Sequence, residues 1–185
     1  TNTQTDITAA GRTYPLGDAV ITVLHPATGN GIEDMNDLSL VLRVDYQGRS
    51  FLLTGDIGET VEQTLSGIGH IDVLQVPHHG SSTSTTEAFL RAVDPELVLA
   101  YHTQGRVIYW QFQDYVIPGA RELGEEFARV SGYSLEEVPF ESSFAGYKDW
   151  FIQKFRRPGY TIEVGEGENP LPLEQFDQIY RNNLG

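Results

Sequence analysis

The chain has 185 residues, with 12 Lys+Arg against 26 Asp+Glu for a net charge of −14, and 39% apolar and 11% aromatic residues. That composition is globular, and so acidic a chain lacks the basic footprint that duplex nucleic acid binding needs. It holds no Cys and five His, which excludes disulfides and thiolate metal sites and leaves imidazoles and carboxylates as metal donors.

The elements read in order as strands alternating with short helices. AVITVL (19–24) is a β-branched run, and the Gly/Asn/Asp-rich stretch 27–37 is loop chemistry. LSLVLRVDY (38–46) and SFLLT (50–54) flank a Gln47-Gly48 turn, which predicts a hairpin. Residues 58–69 predict a short amphipathic helix stopped by glycines, and IDVLQVP (71–77) a strand covered on both faces. Ser84-x-x-Glu87 reads as a capping box for a helix through Val93, broken by Pro95. ELVLAYH (96–102) and RVIYW (106–110) are strands. Residues 118–132 are helical with Leu123, Phe127 and Val130 on one face. Helices over 147–155 and 171–183 bracket a strand at 159–165. The alternation predicts an α/β fold, a mixed and largely parallel sheet with helices packed on its faces. No run reaches bilayer-spanning length and TNTQTDITAAG has no leader pattern, so a cytoplasmic protein with no membrane partner is expected.

Asp56, His78/His79, His102 and Glu163 each fall at the C-terminal end of a predicted strand, the edge where ligands gather in α/β sheets. Imidazole with carboxylate is the donor set of thiolate-free zinc sites. Four such positions together point to a site or to the relic of one.

Two stretches resemble different families. Asn36-Asp37-x-Ser39, Thr54-Gly55-Asp56 and His78-His79-Gly80-Ser81, within residues 16–99, resemble the C-terminal part of a metallo-β-lactamase-fold domain of the ComEC/Rec2 competence type. The resemblance implies that Asp56 and a His of the His78-His79 pair are metal ligands. The His-x-His-x-Asp-His string of that family does not occur here. AYHTQGRVIYWQF, SSFAGYKDWF and GYTIEVGEGENPLPLEQF, within residues 96–185, resemble the C-terminal half of M14 zinc carboxypeptidases of the bacterial γ-D-glutamyl–diamino acid peptidase type. That likeness implies zinc as cofactor, His102 as a zinc ligand and Glu163 as the general base. It implies Lys148 in the specificity pocket and a peptide or peptidoglycan fragment as partner. The family's tyrosine maps onto no single residue; Phe140 and Phe144 hold the nearby aromatic positions and Tyr147 is the available phenol. No His is followed by Glu three residues later, so the first half of that zinc site is missing too.

The expectation is therefore two half-domains, 1–100 and 101–185, or one merged α/β domain. The first half carries 4 Arg and 13 acids, a net of −9, and the second 8 basic residues and 13 acids, a net of −5. The implied function is a zinc metallopeptidase-related hydrolase with an incomplete site. The alternatives are a metallo-β-lactamase-fold hydrolase fragment and a non-catalytic chimeric scaffold.

Overall fold

The structure, a computed structural model, describes residues 7–27, 34–65, 67–144 and 146–184. Part of the 27–37 loop, and Ser66 in the 58–69 segment, therefore lie outside the described residues. The chain divides into two units, Thr1–Pro95 and Glu96–Gly185. Both are α/β, and strand pairing is mixed.

The first unit opens with β1 (Thr13–Leu16), β2 (Ala19–His25), β3 (Val41–Tyr46) and β4 (Arg49–Leu53), each antiparallel to the next. β5 (Val73–Gln75) then adds to β4 in parallel. The β3–β4 hairpin is as expected. Tyr46 pairs with Arg49, and the two turn residues Gln47 and Gly48 sit at φ 48° and 76°. Positive φ at both central positions matches the right-handed twist of the strands it joins. β1 was not expected: it is four residues long and contains Pro15, which an edge strand tolerates because its missing N–H faces away from the ladder. His25, Val41, Leu52 and Leu74 are buried. They fall on one sheet face by the strand register.

Two helical expectations needed correction. Only Glu59–Glu62 forms α1. Thr64 N and Leu65 N then reach back three residues, to Val61 O and Glu62 O, and Thr64 Oγ1 also donates to Val61 O. These tighter bonds close the helix early. α2 (Glu87–Val93) is capped by Thr86, whose Oγ1 accepts from Phe89 N at 3.2 Å, and not by Ser84. Ser84 instead donates to Pro77 O at 2.9 Å.

Asp72, entering β5, ties the two parallel strands together. It accepts from Arg49 Nη1 at 2.6 Å, Ser50 N at 2.8 Å and Ser50 Oγ at 2.9 Å. Arg49 first, and then the Ser50 amide, pull its carboxyl down to about 2. Its folded pKa is thus below the ordinary aspartate value of about 3.9. The stabilisation is complete above that ordinary value and is lost as pH falls toward 2. Asp72→Asn is expected to cost about 1–3 kcal/mol at pH 7. In urea melts, the gap to the parent should close as pH drops from about 4 to about 2.

In the second unit β6 (Leu97–Thr103) runs parallel to β9 (Gly159–Val164). β9 is antiparallel to β7 (Val107–Tyr109), and β7 is parallel to β8 (Ser134–Glu136). One face packs Ile108, Tyr160 and Ile162 with Leu123 and Phe127 of α3 (Ala120–Ser131). Val130, expected on that helix face, lines a cavity there with Phe127, Ile108 and Ile162 and is 39% exposed. Gly124 is buried there, with its Cβ position 2.9 Å from Leu135 Cδ1 and 3.3 Å from Tyr160 Cε1, so a larger residue would have to displace those side chains. α4 (Tyr147–Phe155) packs against β6 and β9. The last expected helix is a 3-10 turn, Leu173–Gln175, running into α5 (Phe176–Asn182).

Candidate functional site

In the first unit the sequence motifs converge on one turn. Asp56 follows β4, and its backbone N–H donates to Ser39 Oγ at 3.0 Å. Gly55 sits at φ 59°, with its Cβ position 2.8 Å from Ser39 Cβ, so only glycine lets the Asn36-Asp37-x-Ser39 segment close on the Asp56 turn. Asp37 Oδ1 accepts from Gly58 N at 2.8 Å, and His25 Nε2 lies 2.7 Å from Asp37 O. The motif therefore acts as a brace, with its side chains satisfying turn amides. His25 is 4% exposed and belongs to that brace.

Beyond β5, His78 and His79 both adopt left-handed backbone, at φ 46° and 55°. His78 N donates to Gly55 O at 3.1 Å. Consecutive left-handed non-glycine residues are costly and cluster at functional positions. His79 Nε2 lies 3.5 Å from Asp56 Oδ1, both side chains being about half exposed. The structure thus brings Asp56 and His79 together, while the His78 ring stands edge-on to His79 at 6.2 Å.

In the second unit His102 and Glu163 are direct partners in the parallel β6–β9 ladder. Their side chains therefore share a face, on strands about 4.8 Å apart. This face is opposite the one holding Tyr160 and Ile162. Val107 and Tyr109 of β7 pair with Glu163 and Thr161 and lie on the same face. Burial raises the Glu163 carboxyl above its usual range. Such a group stays protonated to a higher pH than an exposed glutamate and, once ionised, is a stronger base. Burial first, and then the charges of Glu136 and Glu163, push the Tyr109 phenol up as well.

A cavity of about 330 Å³ is lined among others by Tyr109, Ser142, Lys148, Asp149 and Thr161; Tyr109 and Thr161 share the Glu163 face, while neither His102 nor Glu163 lines it. Lys148 and Asp149 are 2% and 5% exposed. Lys148 Nζ donates to Gln111 O at 2.5 Å and forms a short ion pair with Asp149 Oδ1. Burial lowers the Lys148 ammonium pKa, against the opposing pull of Asp149. The cation is thus at the cavity, with its charge balanced by its own neighbour. Tyr147 does not line the cavity; its ring packs with Trp150 and Phe151 on α4. Phe140 and Phe144 are 65% and 63% exposed and meet edge-on at 5.1 Å.

The sequence reading missed Tyr109, Thr161 and Asp149 as cavity residues. Thr161 could have been found from strand alternation, two residues before Glu163. The pairing of Tyr109 with Thr161 has no sequence signal. Among the described residues, neither unit by itself brings three His, Asp or Glu ligand atoms within chelating distance of one another. Also among them, no helix is long and apolar enough to cross a membrane.

No protein-family model matches the chain. It is 58% identical over 88 residues to "Gamma-D-glutamyl-L-diamino acid endopeptidase 1" of Lysinibacillus sphaericus, covering 48% of this chain and 22% of that protein. It is 43% identical over 83 residues to "Recombination protein 2" of Haemophilus influenzae, covering 44% of this chain and 10% of that protein. The chain thus spans less than a quarter of either relative's length. It is chimera-like, resembling the endopeptidase over 48% of its length and the recombination and competence proteins over 44% and 42% of it. A solved chain from Thermotoga maritima assigned to the metallo-β-lactamase superfamily aligns with a TM-score of 0.34 and 19% identity, covering 52% of this chain and 49% of that one. A likeness that low carries no weight here.

Proposed function

We propose that the second unit is the base-and-pocket half of a peptidase site. It would take a peptide bearing an extra carboxylate, of the γ-D-glutamyl–diamino acid kind, without a complete zinc site of its own. The observation that supports this most is the His102–Glu163 pairing on one face, from which Tyr109 and Thr161 also line the Lys148 cavity. Catalytic zinc sites take three protein ligands and a water. One imidazole and its neighbouring carboxylate fall short of that set, so zinc does not fit the second unit by itself. The first unit, with Asp56 and His79, falls short too. No chemical step is therefore assigned to a metal. Glu163 would hold and accept a proton at its carboxylate, and the cavity would orient the peptide.

The test is titration of the full chain with a γ-D-glutamyl–diaminopimelate peptide, followed by amide NMR, with a parallel hydrolysis assay in added zinc. Expected are shifts at Tyr109, Thr161 and Glu163, altered in Glu163→Gln, and no hydrolysis above background. Absence of shifts at about 10 mM peptide, a binding free energy weaker than about −2.7 kcal/mol, would refute the pocket. Zinc-dependent turnover would refute the incomplete site.

The Asp56–His79 contact favours a second reading, a hydrolase of the metallo-β-lactamase kind led by the first unit. Nuclease activity lost in Asp56→Ala would select it. A folded chain with neither binding nor turnover would be a scaffold.

A further inference from the structure

The cavity in the second unit holds a cation whose charge is already balanced. An ammonium has three N–H donors. Lys148 gives one to Gln111 O and one to Asp149 Oδ1. The buried pair is neutral as a unit and offers an incoming carboxylate no net charge. Tyr109 supplies another donor at the cavity wall. Its strand β7 lies between β8 and β9, and the register sets Tyr109 opposite Glu136 on one side and Thr161 on the other. Paired residues share a sheet face, on strands about 4.8 Å apart. Glu163, two residues along β9 from Thr161, is on that face too. Neither acid lines the cavity, yet the charge of each acts on the phenol, which burial and these charges hold above its ordinary value of about 10. At neutral pH Tyr109 is therefore a protonated donor in a negative field.

We propose that Tyr109 is the specificity residue of this cavity and selects a zwitterionic diamino-acid end. Its O–H donates to the carboxylate of that end, while the field of Glu136 and Glu163 draws the ammonium on the same carbon. The inference rests on the peptidase-site reading. It narrows the substrate from a peptide with an extra carboxylate to one whose extra carboxylate comes with its own ammonium. A lone carboxylate would meet the negative field with no compensating charge of its own, and like charge facing a ligand is a strong discriminator. A lone ammonium keeps the favourable field but leaves the phenol without a charged acceptor, the stronger kind of hydrogen bond. The order of affinity is therefore zwitterion, then ammonium alone, then carboxylate alone. Lys148, with its charge balanced by Asp149, serves as the cavity's structural cation.

Amide NMR titration of the full chain with three peptides tests this. They are γ-D-glutamyl–diaminopimelate, with both groups at the far end, γ-D-glutamyl–lysine, with the ammonium alone, and γ-D-glutamyl–2-aminopimelate, with the carboxylate alone. The parent should bind the diaminopimelate peptide about tenfold more tightly than the lysine peptide, and the aminopimelate peptide most weakly. Tyr109→Phe should weaken the diaminopimelate peptide about tenfold and leave the lysine peptide within about twofold. Glu136→Gln should weaken the lysine peptide and strengthen the aminopimelate peptide, each by about threefold. A Tyr109→Phe variant that weakens the diaminopimelate and lysine peptides alike would make the ring a packing element and overturn the proposal. So would an aminopimelate peptide that binds as tightly as the diaminopimelate one. Either result leaves the peptidase-site reading standing, because the parent still binds. A parent that shifts with none of the three at about 10 mM would overturn that reading and this proposal together.

Discussion

Asp149→Ala is expected to destabilise the protein by about 3–5 kcal/mol, because it strands a buried ammonium. Lys148 is 2% exposed, and its partners in the structure are the Asp149 carboxylate and the Gln111 carbonyl. Without the carboxylate, one carbonyl must hold a full charge out of water. Burial already holds the Lys148 pKa below the ordinary lysine value. A lysine whose folded pKa is below its unfolded value is destabilising while charged, and stability recovers as pH rises from the folded value toward the unfolded one. Losing Asp149 lowers the folded value further, so the deficit should narrow between about pH 7 and pH 10. Replacing both residues, as in K148M/D149L, removes the charge and its partner together and should recover most of the loss. Urea denaturation of the parent and the two variants at both pH values measures this. If Asp149→Ala costs less than about 1 kcal/mol, the pair behaves as a solvated surface bridge and does not hold the cavity floor.

Much of the scaffold was legible because it depends on local chemistry. The Gln47-Gly48 hairpin, the β-branched run of β2 and the glycine-stopped α3 follow from turn residues and side-chain period. What was not legible depends on pairing across the sequence. β8 is three residues, Ser134–Glu136, with one apolar side chain, and is a strand only because β7 pairs with it. The four positions grouped as a candidate site, Asp56, His78/His79, His102 and Glu163, share a sequence feature, a place at or just past a strand end. The structure adds register. His102 and Glu163, 61 residues apart, are direct ladder partners, while Asp56 meets His79 through turns that Ser39 and Gly55 shape. Lys148, expected in a pocket from the family resemblance, lines a cavity, but its balancing partner is the adjacent Asp149, which the helix pattern alone does not mark as buried. The capping box failed because of a distant carboxylate.

That carboxylate carries the second large prediction. Glu62 is 5% exposed, and its two oxygens accept from Thr85 N, Thr86 N and Thr86 Oγ1. It therefore anchors the entry to α2 and holds Thr85 at φ 57°, a conformation costly for a β-branched residue. The same loop reaches back toward the two histidines: Ser84 Oγ donates to Pro77 O, and Thr83 O accepts from Glu59 N at 3.0 Å. Glu62→Ala removes three hydrogen bonds to a buried acceptor and frees Thr85 to leave the left-handed region. The expected loss is about 3–5 kcal/mol, with Glu62→Gln losing about half of that because one amide oxygen still accepts. The local effect should exceed the global one. Amide exchange at His78, His79 and Thr85 should accelerate more than exchange in β3 and β4, because the left-handed pair would lose the loop that confines it. Uniform acceleration across the first unit would mean that Glu62 stabilises the unit without positioning His79 against Asp56.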